Sequence, residues 1–445
     1  MDDGALTSRV APWASEPARR RLSELETLLA GRSGPESVIE TVTWSLEAHR
    51  RRFDAEGIVL YAGTNLMSPA AVRAHDVAVS SRPSMGWPGE KFQAGLDHLD
   101  VLEVLAPLLI AELMEGTFAE VRLQSATLAN LAVYTALTEP GDTIAVLPEA
   151  AGGHTSHHRQ GVPGVRGLRV VDLPYDAANF DLDYAALGGF LGRERPRLVV
   201  IGASLMLFPH DVAAVRAAAD EAGATVLYDA SHVAGPVATR TFQRPLIEGA
   251  HVLTFSTYKS FGGPPGGCVV TNDERIAREV SAVAYPGMLA NYDIGRLGSL
   301  AITAAEFADG GADYVGDCLA NAGALAHALH EQGFAVAAAA RGFTRSHHVA
   351  LDAGPFGGGA LAAVRLAEAG IYLSGIGLPD QPPGEEMRGL RIGTQEVTRR
   401  GFTAADLRRV AVLTRRALID GEPPATVRAE AVALRATVDA RHRHP

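Results

Sequence analysis

The chain has 445 residues, of which 47% are apolar and 20% charged, and its net charge is −11. That length favours two or three domains with ample core, and the acidic balance argues against nucleic-acid binding. No run of about 18 apolar residues is present, so no membrane span is expected; the start, Met1-Asp2-Asp3-Gly4, lacks a secretory h-region, and two distant cysteines, Cys268 and Cys318, read as buried small hydrophobes of a reducing, cytoplasmic setting rather than as a disulfide or reactive thiol.

Residues 19–29 and 36–51 carry apolar side chains at roughly helical spacing, so 1–55 reads as an N-terminal helical arm. From 56 to 300, short apolar runs alternate with amphipathic helices. The runs lie at 143–147, 197–201, 225–228, 252–255 and 268–270, and one helix spans 211–222. This alternation predicts an α/β fold, a large doubly wound domain on a mostly parallel sheet. A helical stretch at about 300–330 leads into a smaller C-terminal α+β domain, 301–445. Its expected strands are 349–351 and 390–392, its helices 403–418 and 426–441, and 379–386 is a Pro/Gly/acid loop. No internal repeat is present.

Two segments carry chemistry. Tyr228-Asp229-Ala230-Ser231-His232 sets an acid and a histidine after one apolar run. About thirty residues later, Ser256-Thr257-Tyr258-Lys259-Ser260-Phe261-Gly262-Gly263-Pro264-Pro265-Gly266-Gly267 opens a glycine-rich loop with a lysine. This order suits pyridoxal 5'-phosphate: the lysine forms a Schiff base with the aldehyde, and the acid keeps the pyridine nitrogen protonated. Taken alone, Asp229 also reads as a helix cap and Lys259 as a loop lysine; their spacing favours the cofactor. Ser125-Ala126-Thr127 precedes a helix and offers a phosphate cup, or an ordinary N-cap. His154 follows Gly152-Gly153 and suits stacking on a pyridine face. It also reads as a surface histidine beside His157 and His158; a metal site lacks partner ligands, so no metal is expected. Arg391, between Leu390 and Ile392, offers a fork for a substrate carboxylate, or a surface salt bridge.

Together these segments resemble serine hydroxymethyltransferase, a fold-type I pyridoxal-phosphate enzyme, over about residues 57–420. The likeness rests on Asn65-Leu66-Met67-Ser68-Pro69-Ala70, Ala129-Asn130-Leu131-Ala132-Val133-Tyr134, Pro140-Gly141-Asp142-Thr143-Ile144, Gly152-Gly153-His154, Gly202-Ala203-Ser204, residues 229–235, the lysine loop and Arg391-Ile392-Gly393-Thr394. The resemblance implies that Lys259 holds the cofactor, Asp229 pairs with the pyridinium and His154 stacks on the ring. It puts Ser204 and His232 near the cofactor's O3', sets Ser125, Thr127 and Ser256 at the phosphate and ring, and gives Arg391 the substrate carboxylate. It further implies a homodimer or homotetramer with shared active sites.

The chain departs from the resemblance on the substrate and folate side. Met85 stands where a proton-handling glutamate is expected, and Met cannot move a proton. Phe92 and Gln93 replace two tyrosines. Gly63 and Thr64 replace a serine and an acid, and Glu149 and Thr155 replace two apolar folate contacts. Tyr258 replaces a histidine, Pro265 an arginine, and Ala290-Asn291-Tyr292 a Gly-Gly-Pro. The expected function is folate-independent aldolase or transaldolase chemistry at Cα–Cβ of a β-hydroxy amino acid in specialised metabolism. It would proceed through an external aldimine and quinonoid, with Lys259 or Tyr258 moving protons. The alternatives are β-elimination or decarboxylation with oxidative deamination of a bulkier amino-acid conjugate, a true hydroxymethyltransferase, and a catalytically silent cofactor-binding protein.

Overall fold

The computed structural model describes residues 12–379, 381 and 386–442. The Met1–Gly4 start and most of the loop expected at 379–386 lie outside the described residues. The chain divides into two compact units between Gly57 and Ile58. The first holds α1 (Glu16–Leu29) and α2 (Pro35–Arg50), each with proline in its first turn, where the missing N–H costs no hydrogen bond.

The second unit is built on a seven-stranded sheet: β1 (Phe118–Glu120), β2 (Thr143–Val146), β3 (Arg169–Asp172), β4 (Leu198–Ile201), β5 (Thr225–Asp229), β6 (Val252–Ser256) and β7 (Gly267–Thr271). The order across it is β1-β7-β6-β5-β4-β2-β3. From β6 to β3 every neighbouring pair is parallel, and β7 runs antiparallel to both β6 and β1. β4 and β6 are buried along their whole length. Strands covered on both faces read as continuous Val/Ile/Leu runs, which is why the sequence shows them. The edge strands β1 and β3 did not show, because each is short, half-buried and broken by charged residues.

Helices α3 (Asp97–Leu113), α4 (Ala126–Leu137) and α5 (Val212–Ala222) accompany this sheet. The 36-residue α6 (Arg296–Glu331) then links two hydrophobic cores. Leu297, Leu300, Ala304 and Phe307 enter the core around the large sheet; Ala322, Leu325, Ala326 and Leu329 enter a second. The second core lies around the antiparallel β8 (His348–Asp352), β9 (Ser374–Ile376) and β10 (Gly389–Gly393), in the order β8-β10-β9. It is closed by α7 (Ala404–Leu418), which starts with a reciprocal Thr403–Asp406 capping box, and α8 (Pro424–His442). A small third cluster, Leu205, Leu207, Phe208, Ala350 and Leu378, packs the segment after β4 against β8. That contact brings the small sheet to the C-terminal edge of the large one.

Candidate active site

Ligands of open α/β sheets collect at the carboxyl ends of the strands, and the predicted residues other than Arg391 gather there. Ser125 follows β1, His154 follows β2, Ser204 follows β4, Asp229 ends β5, and Ser256 and Lys259 end and follow β6. With Ala126, Thr127, Tyr258 and His232 they line one cavity. Gly202 lets the chain turn there. Its φ is +98°, and a Cβ on it would fall 2.1 Å from the Asp229 carbonyl oxygen. The turn lets the Ser204 N–H reach the Gly152 carbonyl at 2.7 Å, tying it to the loop that carries His154.

Lys259 is 9% exposed and forms no ion pair among the described residues. Burial lowers its ammonium to about 8, with Arg391 pushing the same way and Asp229 opposing. Its Nζ lies 3.1 Å from His232 Nε2. The same Nε2 lies 3.5 Å from Arg391 Nη1. Burial and these two cations hold His232 well below its usual range, so the ring is neutral. Two donor groups at Nε2 make that nitrogen the acceptor and place the proton on Nδ1, which is buried without a partner among the described residues.

Asp229 accepts from Asn130 Nδ2 at 2.9 Å, from His157 Nε2 at 2.8 Å and from the Ser231 N–H at 2.8 Å. Burial alone would raise its carboxyl, but these donors outweigh it and hold the group well below the ordinary carboxylate range. Behind His157 stands the Tyr134 hydroxyl, 2.5 Å from Nδ1. Burial keeps that phenol protonated, so it donates to Nδ1 and leaves the His157 Nε2 proton directed at Asp229. Thr254 donates to Asn130 Oδ1 at 2.7 Å and orients the amide in the same way. Asn130, His157 and Tyr134 were not singled out as site residues from sequence, although a signal existed. Asn130 is the one amide in the apolar α4, and Tyr134, four residues on, shares its face.

His154 stands open at the cavity mouth, its Nδ1 accepting from the Ser156 N–H at 3.1 Å. Burial of part of the ring and nearby Lys259 push it down to about 4, leaving a neutral face over the cavity. Ser125 caps α4 through the Leu128 N–H at 3.2 Å. This fills one side of the hydroxyl and leaves the helix N-terminus facing the cavity. Arg391, in the middle of β10, donates to the Ser204 carbonyl at 2.7 Å and to Ser374 Oγ at 3.4 Å. It forms no ion pair among the described residues, so the surface salt-bridge alternative does not apply.

The substituted positions form contacts of their own. The Met85 N–H donates to Gln93 Oε1 at 3.1 Å, the Ser84 N–H to Asn291 Oδ1 at 3.0 Å, and Tyr292 donates to Glu103. Thr64 donates to Glu396 Oε2 at 2.7 Å.

A phosphorylated pyridine aldehyde fits this set: a buried amine of lowered basicity, a carboxylate kept ionised, an imidazole face and a helix N-terminus. The Nδ1–H of His232 and the Ser231 hydroxyl, both buried without a partner among the described residues, are further polar groups that suit such a ligand. The cofactor is pyridoxal 5'-phosphate. The comparisons agree. The serine hydroxymethyltransferase family model matches residues 38–414. An alpha-methylserine aldolase from Variovorax paradoxus is 42% identical over 418 residues, covering 94% of each chain. A serine hydroxymethyltransferase from Korarchaeum cryptofilum is 39% identical over 405 residues, covering 88% of this chain and 93% of that one. The fold matches an L-threonine transaldolase from Pseudomonas fluorescens, solved in its internal aldimine state. The TM-score is 0.82 at 23% identity, over 90% of this chain and 92% of that one. The chain is an enzyme, and it belongs to the serine hydroxymethyltransferase family.

Proposed function

We propose that the chain cleaves the Cα–Cβ bond of a β-hydroxy amino acid without folate, with α-methylserine, giving alanine and formaldehyde, as the favoured substrate. The observation that carries this is the likeness to several alpha-methylserine aldolases, which are 38–45% identical over most of both chains. Met85 in place of a proton-handling carboxylate supports the folate-independent form.

Bound pyridoxal phosphate supplies the ring that draws off the electron pair left at Cα. The chain's residues do the rest. Lys259 Nζ, the buried primary amine lining the cavity, would hold the cofactor through its aldehyde. Asp229, made weakly basic by its three donors, leaves the pyridine proton on the ring nitrogen while stabilising its charge. The neutral face of His154 would be available to stack on the ring. The Arg391 fork would receive the substrate carboxylate and so orient the substrate's Cα–Cβ bond.

A substrate reaching from Lys259 to Arg391 passes His232, whose Nε2 lies beside both. As the bond breaks the hydroxyl carbon leaves as aldehyde, the pair remains at Cα, and the hydroxyl proton passes to the Lys259 amine, whose lowered basicity, about 8, lets it give the proton up again. Lys259 or Tyr258 then delivers a proton to Cα. Val101, Val104, Leu105 and Leu108 are exposed along one face of α3, which supports a homodimer or homotetramer. Two buried thiols, both pushed up to about 12 by burial, support a reducing cytoplasmic setting.

The test is to incubate purified enzyme with α-methylserine in the absence of tetrahydrofolate and to measure alanine and formaldehyde. Both are expected in equal amounts. Product formation from serine or α-methylserine only when tetrahydrofolate is added would defeat the reading.

A further inference from the structure

Arg296 opens α6 and is 2% exposed. Its Nη2 donates to the carbonyls of Val121 and Leu123, at 2.9 Å for the latter. Its Nε and Nη1 are buried without a partner among the described residues, and no carboxylate of those residues forms an ion pair with it. A buried guanidinium with two unpartnered donors is costly to keep, and Asp293 and Glu120 offset that cost without pairing with it. Its place suggests what balances it. Val121 and Leu123 belong to the short segment that ends at Ser125, the start of the phosphate cup. Leu123 also accepts from the Gly267 N–H at 2.9 Å. On the other side Arg296 packs on the end of the lysine loop, where a Cβ on Gly266 would fall 2.1 Å from Nη1. The residue before that glycine is Pro265, where the family resemblance leads one to expect an arginine.

We propose that Arg296 is the buried counter-charge of the cofactor's phosphate, delivered to the cup from α6. This rests on the pyridoxal-phosphate reading. Arg296 is a positioning residue: it acts on the anion through the field of its charge and through the two carbonyls it holds, which fix the segment leading into Ser125. A phosphate at the N-terminus of α4 adds to the negative charge of Asp293 and Glu120, neither of which pairs with Arg296.

The test compares apoenzyme affinity for pyridoxal phosphate with that for pyridoxal, which carries the same aldehyde and ring but no phosphate. Arg296→Gln is expected to weaken pyridoxal phosphate roughly ten-fold or more while pyridoxal changes less than about two-fold. Inorganic phosphate, which competes with pyridoxal phosphate for wild-type apoenzyme, is expected to lose that competition. Arg296→Lys keeps the charge and retains most of the selectivity. Where Arg296→Gln fails to fold, Gly266→Ala carries the test, since its methyl displaces the guanidinium and lowers the same ratio. Equal weakening of both ligands, or an unchanged ratio, overturns the proposal. Wild-type apoenzyme that binds neither ligand instead overturns the cofactor reading beneath it.

Discussion

At the scale of single residues, the site is a set of proton positions enforced by neighbours. Lys259 owes its lowered basicity to burial, and His232 owes its neutral state to burial between two cations. Asp229 shows the opposite balance. It is buried, which penalises its charge, yet three donors keep it ionised. Two of these donors are themselves held from behind, His157 by Tyr134 and Asn130 by Thr254. A ligand-side carboxylate supported in this way does not wander or take the ring's proton. His157→Phe removes one charge-assisted hydrogen bond of about 1.5–3 kcal/mol and lets the Asp229 carboxyl rise. Turnover is expected to fall about ten-fold or more, while the cofactor is still captured at Lys259. Steady-state rates together with the visible absorbance of the loaded protein check this. Loss of the absorbance along with the rate would mean that His157 holds the fold rather than the proton.

At the scale of elements, the carboxyl edge of the large sheet does the assembling, and a few backbone positions decide whether it closes. Gly202 is one. Its left-handed φ is strained for any other residue, and a methyl would meet the Asp229 carbonyl. Gly202→Ala is expected to cost about 3 kcal/mol or more, since strain and overlap add at a buried turn. A lower urea midpoint together with weaker cofactor binding would show this, and an unchanged midpoint would refute it. The turn's importance was not legible in the sequence, because a glycine after an apolar run looks the same whether or not another strand's carbonyl sits against it. The strands β4, β5 and β6 were legible because they are buried on both faces and read as unbroken apolar runs. Lys259 and Asp229 were legible because they end such runs. His157 was not, because its role depends on the turn at 155–157 aiming one imidazole inward and leaving His154 outside. Arg391 was placed on the right strand, but its lack of an acidic partner among the described residues is a tertiary fact that no local pattern carries.

At the scale of the second compact unit as a whole, function has placed several neutral histidines in the interior, and they make stability depend on pH. His232 and His348 lie edge-on at 5.3 Å, and His347 lies 4.2 Å from His348. Burial, reinforced by Arg391, pushes His347 down to about 3, and burial with His347 and Arg391 nearby holds His348 well below its usual range. Neither ring nitrogen of His347 has a hydrogen-bond partner among the described residues. In the unfolded chain each of these rings takes a proton near pH 6.5. Below that pH the unfolded state binds more protons than the folded one, so stability falls as pH drops from about 6.5 toward the folded values. Each such histidine contributes up to about 1.4 kcal/mol per pH unit in that window. Asp229, also lowered, adds loss in the same direction only at much lower pH. The urea midpoint of the apoenzyme is therefore expected to fall only gently between pH 8 and 7, where folded Lys259 takes up its proton, and to drop steeply between 6.5 and 5. His347→Asn removes one titrating ring from the interior without touching the cavity lining, so its midpoint is expected to fall less over the same interval, by an amount equivalent to about 1 kcal/mol. A wild-type midpoint that stays level down to pH 5 would mean that these rings accept protons inside the folded chain, and the neutral state assigned to His232 at the reaction centre would fall with it.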